Sequence, residues 1–368
     1  MNQALRPFVT AGIALVGAST LAIAPVAPPP PGAPVVHDVE LTAGAGFFDL
    51  LQDTLTNGGN LSLAFANAND ALVEAIQGNP DWWSTSPQEL LGALTFLAGD
   101  QKGFLNPLAE FTTSLPSGEG GIGSPDFFLG NFLLYGLLSN QGEALAPGLI
   151  PEIPAPIPEI VQFLASPLSG ILIGAISPAV APFVALINSI ESVINNLGVG
   201  GGTTDLGQAL SDLISIPANV INGFLNGATL NLDALIPLLD GAGLLPEGVS
   251  IGALSFAFGG LLSPGEVGGN LDALTGDELP PITFGGGSIL NALGITISVT
   301  DPLTLDLTFG PGQGVGLSGA LIGLEQVLAL LFTGDLDFDG PPPEVLPDPG
   351  AATDFDFGAL WADLFGGA

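Results

Sequence analysis

A long stretch without charge, Ile160–Ile190, constrains the fold of this chain more than any other feature. An uninterrupted apolar stretch of this length would predict a helix that spans a bilayer. Pro167, Pro178 and Pro182 interrupt it, and each proline removes a backbone donor and restricts the residue before it. The serines before the first two prolines are typical caps that restart a helix. We therefore expect two or three short helices that are apolar on every side.

Helices that are apolar all round need shelter in a protein core, in an oligomer or in lipid. The large side chains of this stretch are therefore the candidates for a membrane or assembly segment. They are Ile160, Phe163, Leu168, Ile171, Ile173, Ile176, Val180, Phe183, Leu186 and Ile190.

The charge balance is strongly acidic. The chain has 36 acidic residues against 2 basic ones, Arg6 and Lys102, and a net charge of −34 over 368 residues. Phosphate backbones would repel such a chain, so we expect no nucleic acid partner, and anionic lipid surfaces are an equally poor electrostatic match. A hydrophobic content of 47% with only 10% charged residues argues against global disorder. The lack of cysteine excludes disulfides, thiolate nucleophiles and cysteine-bound metals.

The first residues, 1–27, have the pattern of a secretory signal peptide. Arg6 precedes an apolar run, and Ala22-Ile23-Ala24 gives the small-residue pattern of a cleavage site. The alternative is an uncleaved membrane helix. Residues 28–44 form a proline-rich spacer, which we expect to be extended and disordered. The sequence therefore predicts export to the cell envelope or beyond.

The rest of the chain predicts a mainly α-helical fold with a small β insert, in the α+β class. Glycine and proline are abundant, at 54 and 33 residues, so we expect short helices broken by both residue types. The predicted organisation is a single α-rich domain at 45–333, helical at 45–226, β-containing at 227–312 and helical again at 315–333, followed by a disordered acidic tail at 334–368.

Local patterns refine this prediction at four places. Gly58-Gly59 is expected to break the first helix in two. Ser86-Pro87-Gln88-Glu89 has the form of a capping box that opens a helix. Two β-branched runs within Ile295–Phe309 predict a hairpin. The apolar run Leu317–Phe332 predicts a final helix.

Two motifs raise the question of a cofactor or a metal. Gly314 to Gly319 matches G-x-G-x-x-G, but no further strand follows as a dinucleotide site requires, so a plain strand-to-helix connector is favoured. Asp335, Asp337 and Asp339 match the first half of a calcium loop and are weak calcium candidates. The closing glutamate position is Leu346, so a solvated acidic tail is the favoured interpretation. We expect no cofactor.

Catalytic constellations are poorly represented. His37 is the single histidine and lies in the spacer, which argues against a Ser-His-Asp triad and a two-histidine metal site. An exported hydrolase that uses paired carboxylates stays open, because acids are abundant, but no pair stands out. We therefore expect no enzyme. Trp82-Trp83 could be membrane-interface anchors or could pack over a helix end.

Five blocks of the sequence carry a resemblance to a known family. They are LRPFVTAGIALVGASTLAIAPVAP near the start, ASPLSGILIGAISPAVAPFVALINSI at 165–190, ALSDLISIPANVINGFLNGATLNLDALIPLL at 209–239, GGLLSPG at 259–265 and GQGVGLSGALIGLEQVLALL at 312–331. In this order they resemble a family of exported proteins from mycolic-acid bacteria, commonly labelled outer membrane porin GjpA. The order is more specific than any single block.

The resemblance implies export to the outer membrane and a channel-forming role, without defined pore-lining or catalytic residues. The β runs are shorter than the roughly 9–11 residues of a spanning strand, so one copy cannot close a barrel. We therefore expect a homo-oligomer in contact with envelope lipid, and a passage lined by acids should favour cations. The competing class is a secreted or envelope-associated structural or adhesive protein without a channel.

Overall fold

The computed structural model describes residues 47–96, 107–110, 112–114, 129–140, 156–199, 204–241, 248–267, 285–299 and 305–333. The predicted signal peptide at 1–27, the predicted spacer at 28–44, the predicted acidic tail at 334–368 and the calcium candidates Asp335, Asp337 and Asp339 lie outside these residues. The helices are α1 Phe47–Gly78, α2 Pro87–Thr95, α3 Pro107–Glu110, α4 Asn131–Leu138, α5 Ile157–Leu164, α6 Pro167–Asn196, α7 Leu206–Asn226, α8 Ile236–Gly241 and α9 Leu317–Thr333. The strands are β1 Ala228–Asn231, β2 Val249–Phe258, β3 Leu293–Val299 and β4 Leu305–Phe309.

The fold is mainly α-helical with one small antiparallel sheet, which confirms the predicted class. The sheet has the order β1-β2-β3-β4, so each strand pairs with its neighbours in sequence. Strands β3 and β4 pair with Ile297 opposite Leu307, which confirms the predicted hairpin. Gly227 joins α7 to β1 with a φ of 99°, a conformation that suits glycine.

The capping box at the start of α2 is confirmed. The Glu89 amide donates to the Ser86 hydroxyl at 3.2 Å, and the Ser86 amide donates back to the Glu89 carboxylate. These hydrogen bonds from the Ser86 backbone and side chain hold the pKa of Glu89 below its usual value. The predicted final helix is also confirmed, because α9 runs from Leu317 to Thr333.

The prediction that prolines divide Ile160–Ile190 into short helices is only partly right. Ser166 caps a new helix at Pro167, as expected, with the Ser169 amide donating to its hydroxyl at 3.2 Å. The expected breaks at Pro178 and Pro182 are wrong, because both prolines lie inside the 30-residue helix α6. Their spacing of four residues places both missing donors on one side of the helix. Packing of α6 against α7 and α9 outweighs the local cost of the prolines.

The expected break at Gly58-Gly59 is also wrong. Helix α1 is continuous over 32 residues and carries both glycines in its interior. Contacts with α7 and α9 hold the helix together on either side of the pair. Tertiary packing therefore overrides the low helix propensity of glycine here.

The main core joins helices from both halves of the described chain to the sheet. Tyr135 of α4, Phe309 of β4 and Val327 of α9 are among its buried members. A smaller cluster joins Leu61, Ala64 and Ala68 of α1 to Ile322 of α9. Helices α6 and α7 form the most extensive helix–helix contact among the described elements.

Candidate functional site

Helix α6 has an inverted distribution of side-chain size, with small residues inside and large apolar residues outside. Gly170, Gly174 and Ser177 are buried, as are the small residues of the following turns. The large apolar side chains on the opposite face are 41–67% exposed. They are Leu172, Ile176, Phe183, Ile187, Ile190 and Ile194.

Helix α7 repeats the inversion with polar residues in place of small ones. Its buried face carries Asp212, Asn219, Asn222 and Asn226. Its outward face carries large apolar side chains that are 44–71% exposed. They are Leu206, Leu210, Leu213, Ile214, Ile221 and Phe224. We call these outward side chains of α6 and α7, taken together, the outer apolar surface.

Small residues allow α6 and α7 to approach each other closely. A Cβ atom added at Gly223 of α7 would lie 2.8 Å from the carbonyl oxygen of Ala181 and 2.8 Å from the Cβ atom of Ala185. Close contact of backbones through glycine and alanine is the packing that helices use in lipid, where the hydrophobic effect does not drive them together.

Asp212 anchors the seam between α6 and α7 at the polar end of α6. Its carboxylate accepts hydrogen bonds from Ser192 at 2.8 Å, Asn196 at 2.7 Å and Gln208 at 2.7 Å. Burial by itself would raise the pKa of Asp212, but these three hydrogen bonds outweigh it and the pKa is lowered. The two partners on α6 lie beyond Ile190, outside the uncharged part of that helix.

Further hydrogen bonds continue the polar seam toward α1. The Asn219 amide donates to the Ser189 hydroxyl of α6 at 3.0 Å. The Asn222 amide donates to the Asp53 carboxylate of α1 at 3.1 Å. Polar side chains of α7 therefore point at their partner helices, while its apolar side chains point away from the protein.

The structure leaves every candidate side chain of the predicted membrane or assembly segment exposed or half-buried. Ile160, Ile176, Phe183 and Ile190 are exposed. The half-buried candidates are Phe163, Leu168, Ile171, Ile173, Val180 and Leu186. The outward side chains of α7 were not predicted as part of this segment. The signal that could have found them is the spacing of Leu206, Leu210 and Leu213 on one helix face, opposite the acid and the asparagines.

Helix α6 is the one helix in the described part of the chain that is long and apolar enough to cross a membrane. Its 30 residues correspond to about 45 Å at about 1.5 Å per residue, against about 30 Å for the hydrocarbon core of a bilayer. Only 33% of its most apolar window is buried within the protein. Helix α6 is therefore longer than this core is thick, and the large side chains that it exposes are apolar.

The glycines of the G-x-G-x-x-G motif pack against the protein's own backbone. A Cβ atom at Gly316 would lie 2.1 Å from the carbonyl oxygen of Gly260, and one at Gly319 would lie 2.2 Å from that of Pro264. The motif connects β4 to α9, and α9 ends the described part of the chain. Tight packing within the fold accounts for these glycines.

Neither a metal site nor a carboxylate cluster emerges from the described residues. None of them form a group of three or more potential histidine, aspartate or glutamate ligands. Burial raises the pKa of Glu266 and of Glu325. Trp82 packs on Phe332 at a centroid distance of 5.1 Å, whereas the neighbouring Trp83 is exposed. That the protein is not an enzyme stays a prediction.

No protein-family model, no curated protein and no solved structure matches this chain. The structure defines a mainly α-helical protein with a small antiparallel sheet and an outer apolar surface on two adjacent helices.

Proposed function

We propose that this protein is exported to the cell envelope, contacts outer-membrane lipid through its outer apolar surface, and assembles with further copies into a channel that prefers cations. The observation that carries the proposal is the inversion of α6 and α7. Their small and polar side chains face the protein, and their large apolar side chains face outward.

Water is an unfavourable environment for this surface. Full burial of one leucine, isoleucine or phenylalanine side chain stabilises by roughly 1.5–3 kcal/mol relative to exposure. Large exposed apolar patches on proteins mark contact with other proteins or with a membrane. The absence of charge from Pro167 to Ile190, together with the length of α6, favours lipid as the partner of this patch.

The proposal that several copies form a cation-preferring channel rests on the charge of the described residues and on the number of helices among them that are long enough to span a membrane. The described residues contain acids but no lysine or arginine, since Arg6 and Lys102 lie outside them. A passage lined by such surfaces favours cations. One helix of spanning length cannot enclose a passage, so several copies have to contribute. The resemblance to exported porins supports the same proposal.

A second candidate is an envelope-associated structural or adhesive protein without a channel. The shared core of helices and sheet favours it, because that core needs no partner to bury Tyr135, Phe309 and Val327. This candidate predicts a monomer that is stable without detergent and leaves a bilayer electrically unchanged.

The two candidates separate in a planar bilayer. The chain, expressed from residue 45 onward, is purified with and without detergent and added to one side of a neutral phosphatidylcholine bilayer in a potassium chloride gradient. We expect detergent-dependent oligomers, stepwise conductance and a reversal potential of the sign set by potassium. Anion preference contradicts the acid-lined passage, and a water-soluble monomer without conductance contradicts the channel.

A further inference from the structure

We infer that the first half of α1, Phe47–Asn57, is a hinged cover over Asn222 and Asn226 of α7, and that its movement uncovers their amide side chains to the passage that the assembled copies form. This inference rests on the proposed channel function and names the surface that ions would meet. It follows from a glycine pair, from the different attachments of the two halves of α1, and from the polarity of the covered face.

The glycine pair Gly58-Gly59 has no packing role in α1. A Cβ atom added at either position would meet no atom within 4 Å. Gly223 in the interior of α7, by contrast, is pressed against α6. Glycine inside a helix lowers its stability relative to alanine, and glycine pairs are sites of sharp helix kinks. A pair that packing does not require, in the middle of a long helix, is therefore suited to act as a hinge.

The two halves of α1 are attached differently. Beyond the glycine pair, Leu61, Ala64 and Ala68 share an apolar cluster with Ile322 of α9. The Asn79 side chain then donates to the carbonyl oxygen of Phe332 at 2.6 Å. The second half is therefore fixed to α9 by apolar packing and by a hydrogen bond at its end.

The first half of α1 meets α7 through polar side chains. The Asn222 amide donates to Asp53 at 3.1 Å. The Asn226 amide donates to the Thr54 hydroxyl at 3.2 Å, and the Asn57 amide donates to the Asn226 carbonyl oxygen at 3.0 Å. Water or ions can replace each of these bonds when the two helices separate. Leu50, on the same helix face one turn earlier, is buried at 8% exposed, so opening also costs the exposure of one apolar side chain there.

The outward face of the same half is apolar. Phe47, Phe48, Leu51 and Leu55 are all exposed. This half therefore has an outward face that is apolar and a covered face on which Asp53, Thr54 and Asn57 lie beside the buried Leu50. When the first half of α1 moves about the glycine pair, water or ions can replace its hydrogen bonds to α7. The outward face of this half can stay in contact with lipid during the movement.

Opening would uncover groups that coordinate cations. Asn222 and Asn226 are now only 5% and 7% exposed, and both amide carbonyl oxygens are ligands of the kind that replace water around an ion. Asp53 would add a carboxylate on the facing helix. The exposed lining would be acidic and amide-rich, without a cation to compete.

Cross-linking tests the cover directly, because the chain contains no cysteine of its own. The pair Thr54→Cys and Asn226→Cys is joined by a short bis-maleimide linker, and conductance is measured in a planar bilayer. The matched control joins Ser62→Cys to Ala66→Cys, which lie on the exposed side of α1 one turn apart. We expect the first linkage to lower conductance about tenfold or more by holding the closed state, and the control linkage to leave it unchanged.

Failure of this inference and failure of the channel proposal give different results. An unmodified protein without conductance contradicts the proposed function. Conductance that the 54–226 linkage leaves intact contradicts only the cover.

A second variant, Gly58→Ala with Gly59→Ala, fits the closed structure without a clash and makes the hinge stiffer. We expect it to lower the open probability while the single-channel conductance is unchanged, and an unaltered open probability would contradict the hinge.

Discussion

Gly223 of α7 lies against Ala181 of α6 so closely that a Cβ atom at position 223 would come within 2.8 Å of the Ala181 carbonyl oxygen. The contact brings two helices together through small side chains, while the side chains of the outer apolar surface point away from it. It makes the small and polar seam of α6 and α7 the part of the structure that holds the outer apolar surface in place.

Enlarging Gly223 should weaken this seam. We expect Gly223→Ala to lower the free energy of unfolding by about 1–3 kcal/mol, because the methyl group has to displace backbone rather than a flexible side chain. The measurement is urea unfolding followed by far-ultraviolet circular dichroism in the same detergent for all variants. Gly241→Ala is the control, since a Cβ atom there meets no atom within 4 Å. Equal stability of the two variants would contradict the close packing.

Asp212 should contribute stability that depends on pH. Its folded-state pKa is lowered, so the unfolded chain binds the proton first as the pH falls. The contribution is therefore present above the unfolded pKa of about 3.9 and is lost as the pH falls through the lowered folded pKa. We expect Asp212→Asn to lose about 1–3 kcal/mol at neutral pH, because an amide cannot accept all three hydrogen bonds. Unfolding measured from about pH 7 to pH 3 should show the difference from the unmodified protein shrinking in acid, and a constant difference would contradict the charge effect.

The charge on Glu325 should lower the stability of the folded protein as the pH rises, which is opposite to the effect of Asp212. Burial raises its pKa, so the folded chain binds the proton first and stability falls as the pH rises from about 4.3 through the folded pKa. We expect Glu325→Gln to be more stable than the unmodified protein at neutral pH and nearly equal to it at about pH 4. Thermal unfolding at the two pH values measures both points. Exposed Glu89→Gln, whose pKa is lowered instead, is the control and should not gain stability at neutral pH.

A charge on the outer apolar surface should weaken membrane association without unfolding the protein. Phe183 is 67% exposed on α6, and Leu238 is 64% exposed on α8, a helix that packs on β2. We expect Phe183→Asp to lower vesicle binding about tenfold or more, because a carboxylate in lipid costs on the order of 2.5–3.5 kcal/mol. Leu238→Asp should bind as the unmodified protein does. Co-flotation with phosphatidylcholine vesicles measures both, and equal loss for the two variants would mean that the effect is not local to α6.

The capping box and the hairpin could be predicted from the sequence because each depends on residues close together in the chain. The reciprocal bonds of Ser86 and Glu89 depend on residues three apart, and the hairpin within Ile295–Phe309 depends on alternation next to a turn. These features need no knowledge of distant partners. The mainly α-helical class with a small β insert follows from them.

The continuity of α6 could not be predicted from its own residues. Pro178 and Pro182 lower helix stability locally, and packing of α6 against its neighbours, chiefly α7 and α9, compensates. The orientation of its faces was equally hidden, because a stretch that is apolar all round does not indicate which side chains face outward. In α7 the asparagines mark the buried face of the helix. The sequence does not show this, because polar residues usually face outward on a helix at a water surface.

The most direct test of lipid contact at α6 uses a single probe on its outward face. Ile176→Cys is the only thiol in such a variant, and a small fluorophore attached there is measured in phosphatidylcholine vesicles against brominated lipids and against aqueous iodide. We expect strong quenching by lipids brominated near the bilayer centre and little quenching by iodide. Quenching by iodide, or protection from both quenchers, would show that the outward face of α6 meets water or protein instead of lipid.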